Sequence, residues 1–171
     1  MSEEAFEIKS SEKWSDDSWF KNQDKRSLEG NRGYLVINEG QVEGMIIGGN
    51  VNTLNLLQGA EFFPDIAGSI LFVEDDAGTD PYIFDRDLQS LIHLPGFDGV
   101  KGLVIGRFQK ASKISDDLLI KIVKTKKELE NLPVIANIDF GHTDPKITFP
   151  VGGEVKITAK KRETSIKITR H

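Results

Sequence analysis

The chain contains no cysteine among its 171 residues. That removes disulfides, thiolate metal sites and any thiol nucleophile, and it fits a reducing cytoplasm. Long apolar runs are also missing: nothing approaches the roughly 18 residues of a membrane helix. The opening stretch, MSEEAFEIKSSEKW, lacks the basic-then-apolar order of a signal peptide. There is no basic excess either, since 27 acidic residues face 22 basic ones for a net charge of −5. A nucleic-acid partner needs a positive stripe to neutralise phosphates, and none stands out. The one basic run, Lys160-Lys161-Arg162, ends at Glu163 and reads as a solvated turn between strands. Three histidines with no short spacing give no zinc pattern. The acidic run from Glu74 to Asp80 lacks the alternating order of a calcium loop, so no metal is expected. The glycines from Gly44 to Gly49 match neither a dinucleotide fingerprint nor a P-loop. No serine sits in a G-x-S-x-G elbow, and Ser69 begins an apolar run rather than ending one.

What is present divides in two. Residues 1–33 are polar and densely charged, with Trp14, Trp19 and Phe20 as the large apolar anchors. Such a segment cannot bury enough surface alone to offset its ordering entropy, so it reads as an arm that docks on this domain or on a partner. The Trp14–Trp19 spacing suggests one short amphipathic turn. From Tyr34 the β-formers dominate. Tyr34–Asn38 and Gln41–Ile47 read as short strands, candidates for a hairpin about Glu39-Gly40, with Gly48-Gly49-Asn50 breaking the second. Asn50 or Asn52 can cap a short helix through Leu57. SILFVE (69–74), GLVI (102–105) and PVIANI (133–138) are continuous apolar runs of the kind found in buried parallel strands. Between them lie two amphipathic helices. One starts at Asp80 or Asp85 with Leu88, Leu91 and Ile92 inward. The other starts at Ser115-Asp116-Asp117, runs to about Glu130, and turns Leu118, Leu119, Ile122 and Val123 inward. Ile147–Phe149, Glu154–Thr158 and Ser165–Thr169 alternate as antiparallel strands do. The expected fold is α/β: a β/β/α sandwich with a mainly parallel sheet, crossover helices on one face and antiparallel strands on the other.

Open α/β sheets bind ligands beyond the carboxyl ends of their parallel strands. Glu74-Asp75-Asp76 follows the first buried strand, Gly106-Arg107-Phe108 the second, and Asp139-Phe140-Gly141-His142 the third. A carboxylate and a histidine on one sheet edge are two thirds of a hydrolytic triad, with the histidine as general base and the carboxylate as its orienting partner. The plainer alternatives are a solvated Glu74, a surface His142 and an Asp139 that closes an Asx turn. His93, on a helix beside apolar residues, reads as structural.

The strings GMIIGGNVNTLNLLQGAEFFPDIAGSILFVEDD, YIFDRDLQSLIHLPGF, GLVIGRFQ and PVIANIDFGHTDPKITFPVGG, in that order, resemble the LD-carboxypeptidase family of serine peptidases. Within it they are similar to the branch of MccF-type microcin C self-immunity proteins. The resemblance runs from about residue 30 to the C-terminus. It implies a two-domain enzyme in which an N-terminal domain holds the nucleophilic serine and oxyanion hole, while a swivelling β/β/α domain supplies the glutamate and histidine. Glu74 and His142 occupy those two motif positions. Gly49, Asn50, Asp85, Arg86 and Asp139 lie in matching motifs as loop, substrate or interface supports. The resemblance further implies no cofactor and a possible homodimer. The substrate would be a murein peptide or an aminoacyl-nucleotide cleaved at an amide. On this reading residues 1–33 are a former interdomain linker, residues 34–171 are the swivelling domain, and the nucleophile domain lies outside the chain. The chain alone is then expected to be inactive, since acyl-enzyme formation needs the serine. The competing expectation is a non-catalytic module for ligand binding or dimerisation.

Overall fold

The computed structural model describes residues 5–18, 20–21 and 23–171. Trp19, one of the expected anchors of the arm, lies outside the described residues. Four parallel strands form the centre: β5 (Gly40–Asn50), β6 (Ser69–Glu74), β7 (Gly102–Gly106) and β8 (Val134–Ile138). Each connection carries a helix: α1 (Val51–Asn55), α2 (Pro81–Ile92) and α3 (Asp116–Lys124). Beyond β8, strand β4 (Leu35–Asn38) closes one edge antiparallel. Beyond β5 the sheet continues through β9 (Glu154–Ala159), β10 (Ser165–Arg170) and β1 (Phe6–Ile8), all paired antiparallel. A separate pair joins β2 (Lys13–Trp14) to β3 (Glu29–Gly30).

The long strand β5 explains how eight strands fold back into layers. Its first half, Gly40–Met45, pairs with β9, and its second half, Met45–Asn50, pairs with β6. Two apolar cores result. Leu71, Val73, Leu103 and Ile105 point to the helices and meet Phe84, Leu88, Leu91, Leu119, Ile122 and Val123. The alternate residues Ile70, Phe72, Val104 and Ile135 point the other way and meet Ile8, Val155, Ile157, Ile166 and Ile168. Period-two alternation feeds both cores from the same strands. The expected sandwich is therefore the observed one: parallel sheet, helices on one face, antiparallel strands on the other.

Several local expectations are corrected. Strands β4 and β5 do not form a hairpin, because β4 pairs with β8 and β5 with β6 and β9. At Gly40 the chain runs close against Pro133, where a Cβ would lie 2.7 Å from the proline Cγ. The segment Gly48-Gly49-Asn50 continues β5 rather than breaking it; a Cβ on Gly48 would lie 1.8 Å from the Phe72 carbonyl oxygen. Helix α3 stops at Lys124, short of Glu130. The turn that follows buries Leu129, and the Asn38 side chain donates to its carbonyl at 2.7 Å. Residues 147–149 form no strand; the Phe149 ring instead lies tilted 4.9 Å from Phe72 and edge-on 5.2 Å from Phe140, centroid to centroid. Asp80, not Asp85, caps α2, accepting from the Tyr82 and Ile83 amides at 2.9 Å each. Asn50 caps α1 by accepting from the Thr53 amide, and Ser115 caps α3.

The arm docks on this domain. Ile8 is 2% exposed against β10. Trp14 lies in the extended pair β2–β3 rather than on an amphipathic turn, with Arg107 5.0 Å from its ring centroid. Lys160–Arg162 form an exposed turn between β9 and β10, as expected.

Candidate functional site

Strand pairing builds the site one row at a time. The parallel register sets Asn50 beside Glu74 at the ends of β5 and β6. Glu74 shares its face of β6 with Ile70 and Phe72, so its carboxylate leaves the apolar layer at the sheet edge. Beyond β8 the chain folds back over that edge. Phe140, 2% exposed, anchors this loop against Phe72 at 5.7 Å between ring centroids. His142 then comes down on Glu74, with Nδ1 2.7 Å from Oε2. Glu74 is buried and the imidazole about half exposed, its side chain at 46%.

Small residues make that contact possible. Gly141 has φ +96°, and a Cβ there would lie 2.4 Å from Glu74 Oε2. At Gly106, at the end of β7, a Cβ would lie 2.8 Å from the Glu74 Cβ. Any larger residue at either position would displace the carboxylate, and at Gly141 the left-handed backbone adds its own cost.

With Nδ1 held by a carboxylate, Nε2 is the ring nitrogen left to exchange a proton with a nucleophile. Among the described residues no serine hydroxyl bonds His142. The dyad's histidine faces a cleft of about 370 Å³ lined by Asn50, Asn52, Thr53, Asp75, Asp76, Gly78, Thr79, Ile83 and His142. Asn50 is held there by donating to Asp75 Oδ1 at 3.0 Å while its own oxygen caps α1. Gly49 sits one residue earlier, beside Val73.

The other expected supports lie elsewhere. Asp85 is on α2 and pairs with the ammonium of Lys126, a buried residue after α3. Arg86 is exposed on the same helix. Asp139 is buried and closes no Asx turn. It accepts from the Ser11 amide at 2.8 Å and from Arg107 at 3.2 Å, with its carbonyl taking the Ile147 amide at 2.8 Å. It thus ties both the arm and the two ends of the His142 loop to β7. His93 closes α2 as an exposed C-cap residue bonded to Gln89.

Asp75, Gly106 and Gly141 carry no signal in the sequence that would single them out. A run of three carboxylates does not say which one turns inward. Only the strand register and the fold of the loop show it.

A larger cleft of about 800 Å³ runs along Trp14, Arg107 and Lys110 and shares no lining residue with the first. Several of its polar groups are already paired: Lys110 with Asp16 and Glu29, and Arg107 with Asp139, while Asn137 donates to Asp116. The Lys110 ammonium is held above its ordinary value, chiefly by its hydrogen bond to Glu29. This cleft is where the arm packs on the domain.

Residues 43–157 match the family model described as LD-carboxypeptidase C-terminal domain. The protein YocD of Bacillus subtilis (strain 168) is 54% identical over 170 residues, covering 99% of this chain and 52% of its own length. The MccF-like protein of Bacillus anthracis str. Ames superposes with a TM-score of 0.96 at 44% identity, over 98% of this chain and 52% of that one. Microcin C7 self-immunity protein MccF, solved in complex with aspartyl sulfamoyl adenosine, superposes with a TM-score of 0.79 at 30% identity over 98% of this chain and 50% of that one. The chain thus spans about half the length of the curated relatives it matches.

Proposed function

The chain belongs to the LD-carboxypeptidase family, and from that membership we propose that it is the glutamate–histidine half of a serine amide hydrolase. The observation that carries the reading is the 2.7 Å contact between His142 Nδ1 and a buried Glu74. A serine from a domain outside this chain attacks the scissile carbonyl, and His142 Nε2 takes its proton. Glu74 fixes the tautomer and stabilises the imidazolium that forms. His142 then protonates the leaving nitrogen, and water releases the acyl group by the same route in reverse. Asn50, fixed by Asp75 and by its cap on α1, presents a polar edge to the substrate across the cleft. Asp139 is a positioning residue that holds the His142 loop to β7.

The substrate is a peptide or an aminoacyl-nucleotide, cut at an amide in the bacterial cytoplasm. Support for the second comes from the aspartyl sulfamoyl adenosine bound by the MccF relative. The test is hydrolysis of that compound and of a murein tetrapeptide by a two-domain protein that joins this chain to the serine domain. Glu74→Gln and His142→Ala should each lower kcat by about 10³–10⁴-fold with the fold intact by circular dichroism. Ordinary turnover in both variants would overturn the assignment.

A further inference from the structure

We propose that the polar arm positions the histidine of the dyad: Ser15 and Arg26 hold Asp144, and through it the loop that carries His142. The proposal rests on the hydrolase reading for the role of His142 and deepens it by naming positioning residues for that site. Among the described residues the imidazole bonds Glu74 alone, and its side chain is 46% exposed. The ring's place therefore depends on the two flanks of its loop. The upstream flank belongs to the sandwich, since Phe140 packs in the second core and Asp139 accepts from Arg107 at 3.2 Å. The downstream flank belongs to the arm. The Ser15 amide donates to the Asp144 carbonyl at 2.8 Å, and the Asp144 amide donates to the Ser15 carbonyl, also at 2.8 Å. Arg26 Nη2 donates to Asp144 Oδ2 at 2.8 Å. The other charge on Asp144 among the described residues is Lys146 of its own loop, at 3.4 Å.

The arm is folded to present these groups. Strands β2 and β3 close its base, with Lys13 opposite Gly30 and Trp14 opposite Glu29. Inside that closure the Ser15 hydroxyl oxygen accepts from the Asp17 amide at 3.1 Å, and Asp17 Oδ2 accepts from the Ser27 amide at 2.6 Å. Ser15 and the residue before Ser27, Arg26, are thus fixed relative to each other. The Arg26 and Asp144 side chains are 15% and 20% exposed, and a single ion pair so near the surface adds little to overall stability. What the three bonds supply is position. Two fix the main chain of Asp144 and the third fixes its side chain, two residues beyond His142. Proton transfer between a serine and an imidazole falls steeply when either is displaced by about 1 Å. A loose downstream flank therefore lowers turnover without weakening substrate binding. Residues 1–33 are also the proposed link to the serine domain, so one segment would both join the domains and hold the histidine.

Two variants and two readouts test this. Arg26→Met keeps the aliphatic stem and removes the donor, whereas Arg26→Lys keeps a cation for Asp144. In the two-domain protein acting on aspartyl sulfamoyl adenosine, Arg26→Met should lower kcat about tenfold and leave KM within about twofold, and Arg26→Lys should recover most of the loss. In the 171-residue chain, long-range proton–nitrogen spectra at a pH where the ring is neutral show which nitrogen of His142 carries the proton. The wild-type ring should be the Nδ1–H tautomer that faces Glu74, and Arg26→Met should shift it toward Nε2–H while Arg26→Lys does not. A variant that only weakened the fold would move the urea midpoint and leave the tautomer of the folded protein unchanged. Wild-type kcat in Arg26→Met, a rise in KM alone, no recovery with lysine, or an unchanged tautomer each overturns the proposal. If Arg26→Met does not fold, Asp144→Ala decides by the same two readouts. If Glu74→Gln and His142→Ala both turn over normally, the hydrolase reading fails, and the tautomer still decides whether the arm places the ring. Failure of the arm proposal leaves the Glu74 and His142 kinetics untouched.

Discussion

Single residues set the pH limits of this fold as well as its chemistry. Tyr34 donates its hydroxyl to the Ile8 carbonyl at 2.8 Å, which fastens the arm to the head of β4. Burial pushes its phenol well above the ordinary value of 10.0, with the charges of Asp139 and Glu7 adding to the shift. A raised folded-state value means that the unfolded chain loses its proton first. The resulting stability is complete below about pH 10 and declines as the pH climbs beyond it. Tyr34→Phe removes that proton and the bond to Ile8. It should cost about 1 kcal/mol at neutral pH and flatten the alkaline loss. Urea unfolding at several pH values between about 8 and 11 checks both effects; an unchanged alkaline slope in the variant would contradict them.

At the scale of elements, the edge strand β1 shows what the arm contributes. Ile8 is enclosed by the second core although it belongs to a segment dominated by charge. Replacing it with alanine should destabilise the domain by about 2–4 kcal/mol, read from the denaturant midpoint. The same strand shows the limit of sequence reading. The three buried parallel strands and the helix cap at Ser115 were legible, and the cap of α2 was narrowed to Asp80 or Asp85, because apolar runs and cap residues are local signals. FEI at the head of a polar arm carries no such signal, and its partner β10 lies at the far end of the chain. The hairpin expected at Glu39-Gly40 failed for a related reason. β-Propensity marks a strand but does not choose its neighbour, and the tight approach to Pro133 is a tertiary fact. The early end of α3 follows Leu129, which is buried by leaving the helical path. In the site, strand-end position brought Glu74 and His142 to one sheet edge, but it was the resemblance to the family that singled them out over a solvated carboxylate and a surface histidine. Asp75 and the two glycines that make room for the carboxylate were not legible, since their roles depend on a loop folding back onto β6.

For the whole molecule, the proposed division of a triad between two domains makes a direct demand. The purified chain alone should give no product from aspartyl sulfamoyl adenosine by mass spectrometry. Addition of the serine domain as a separate polypeptide should restore turnover if the two halves dock without a covalent link. Turnover by the chain alone would require a nucleophile within these residues and would overturn the division of the site between domains.

The pairing of β1 with β10 also has a mechanical side. Phe6 lies opposite Ile168, and Ile8 opposite Ile166, so the chain enters and leaves the sheet at neighbouring points on one border. A load applied between the two ends acts across this strand pair, not along it. Its bonds then break rung by rung, like a zipper, rather than resisting together in shear. Tension on the ends therefore peels off the arm before it reaches the parallel strands that carry Glu74 and His142.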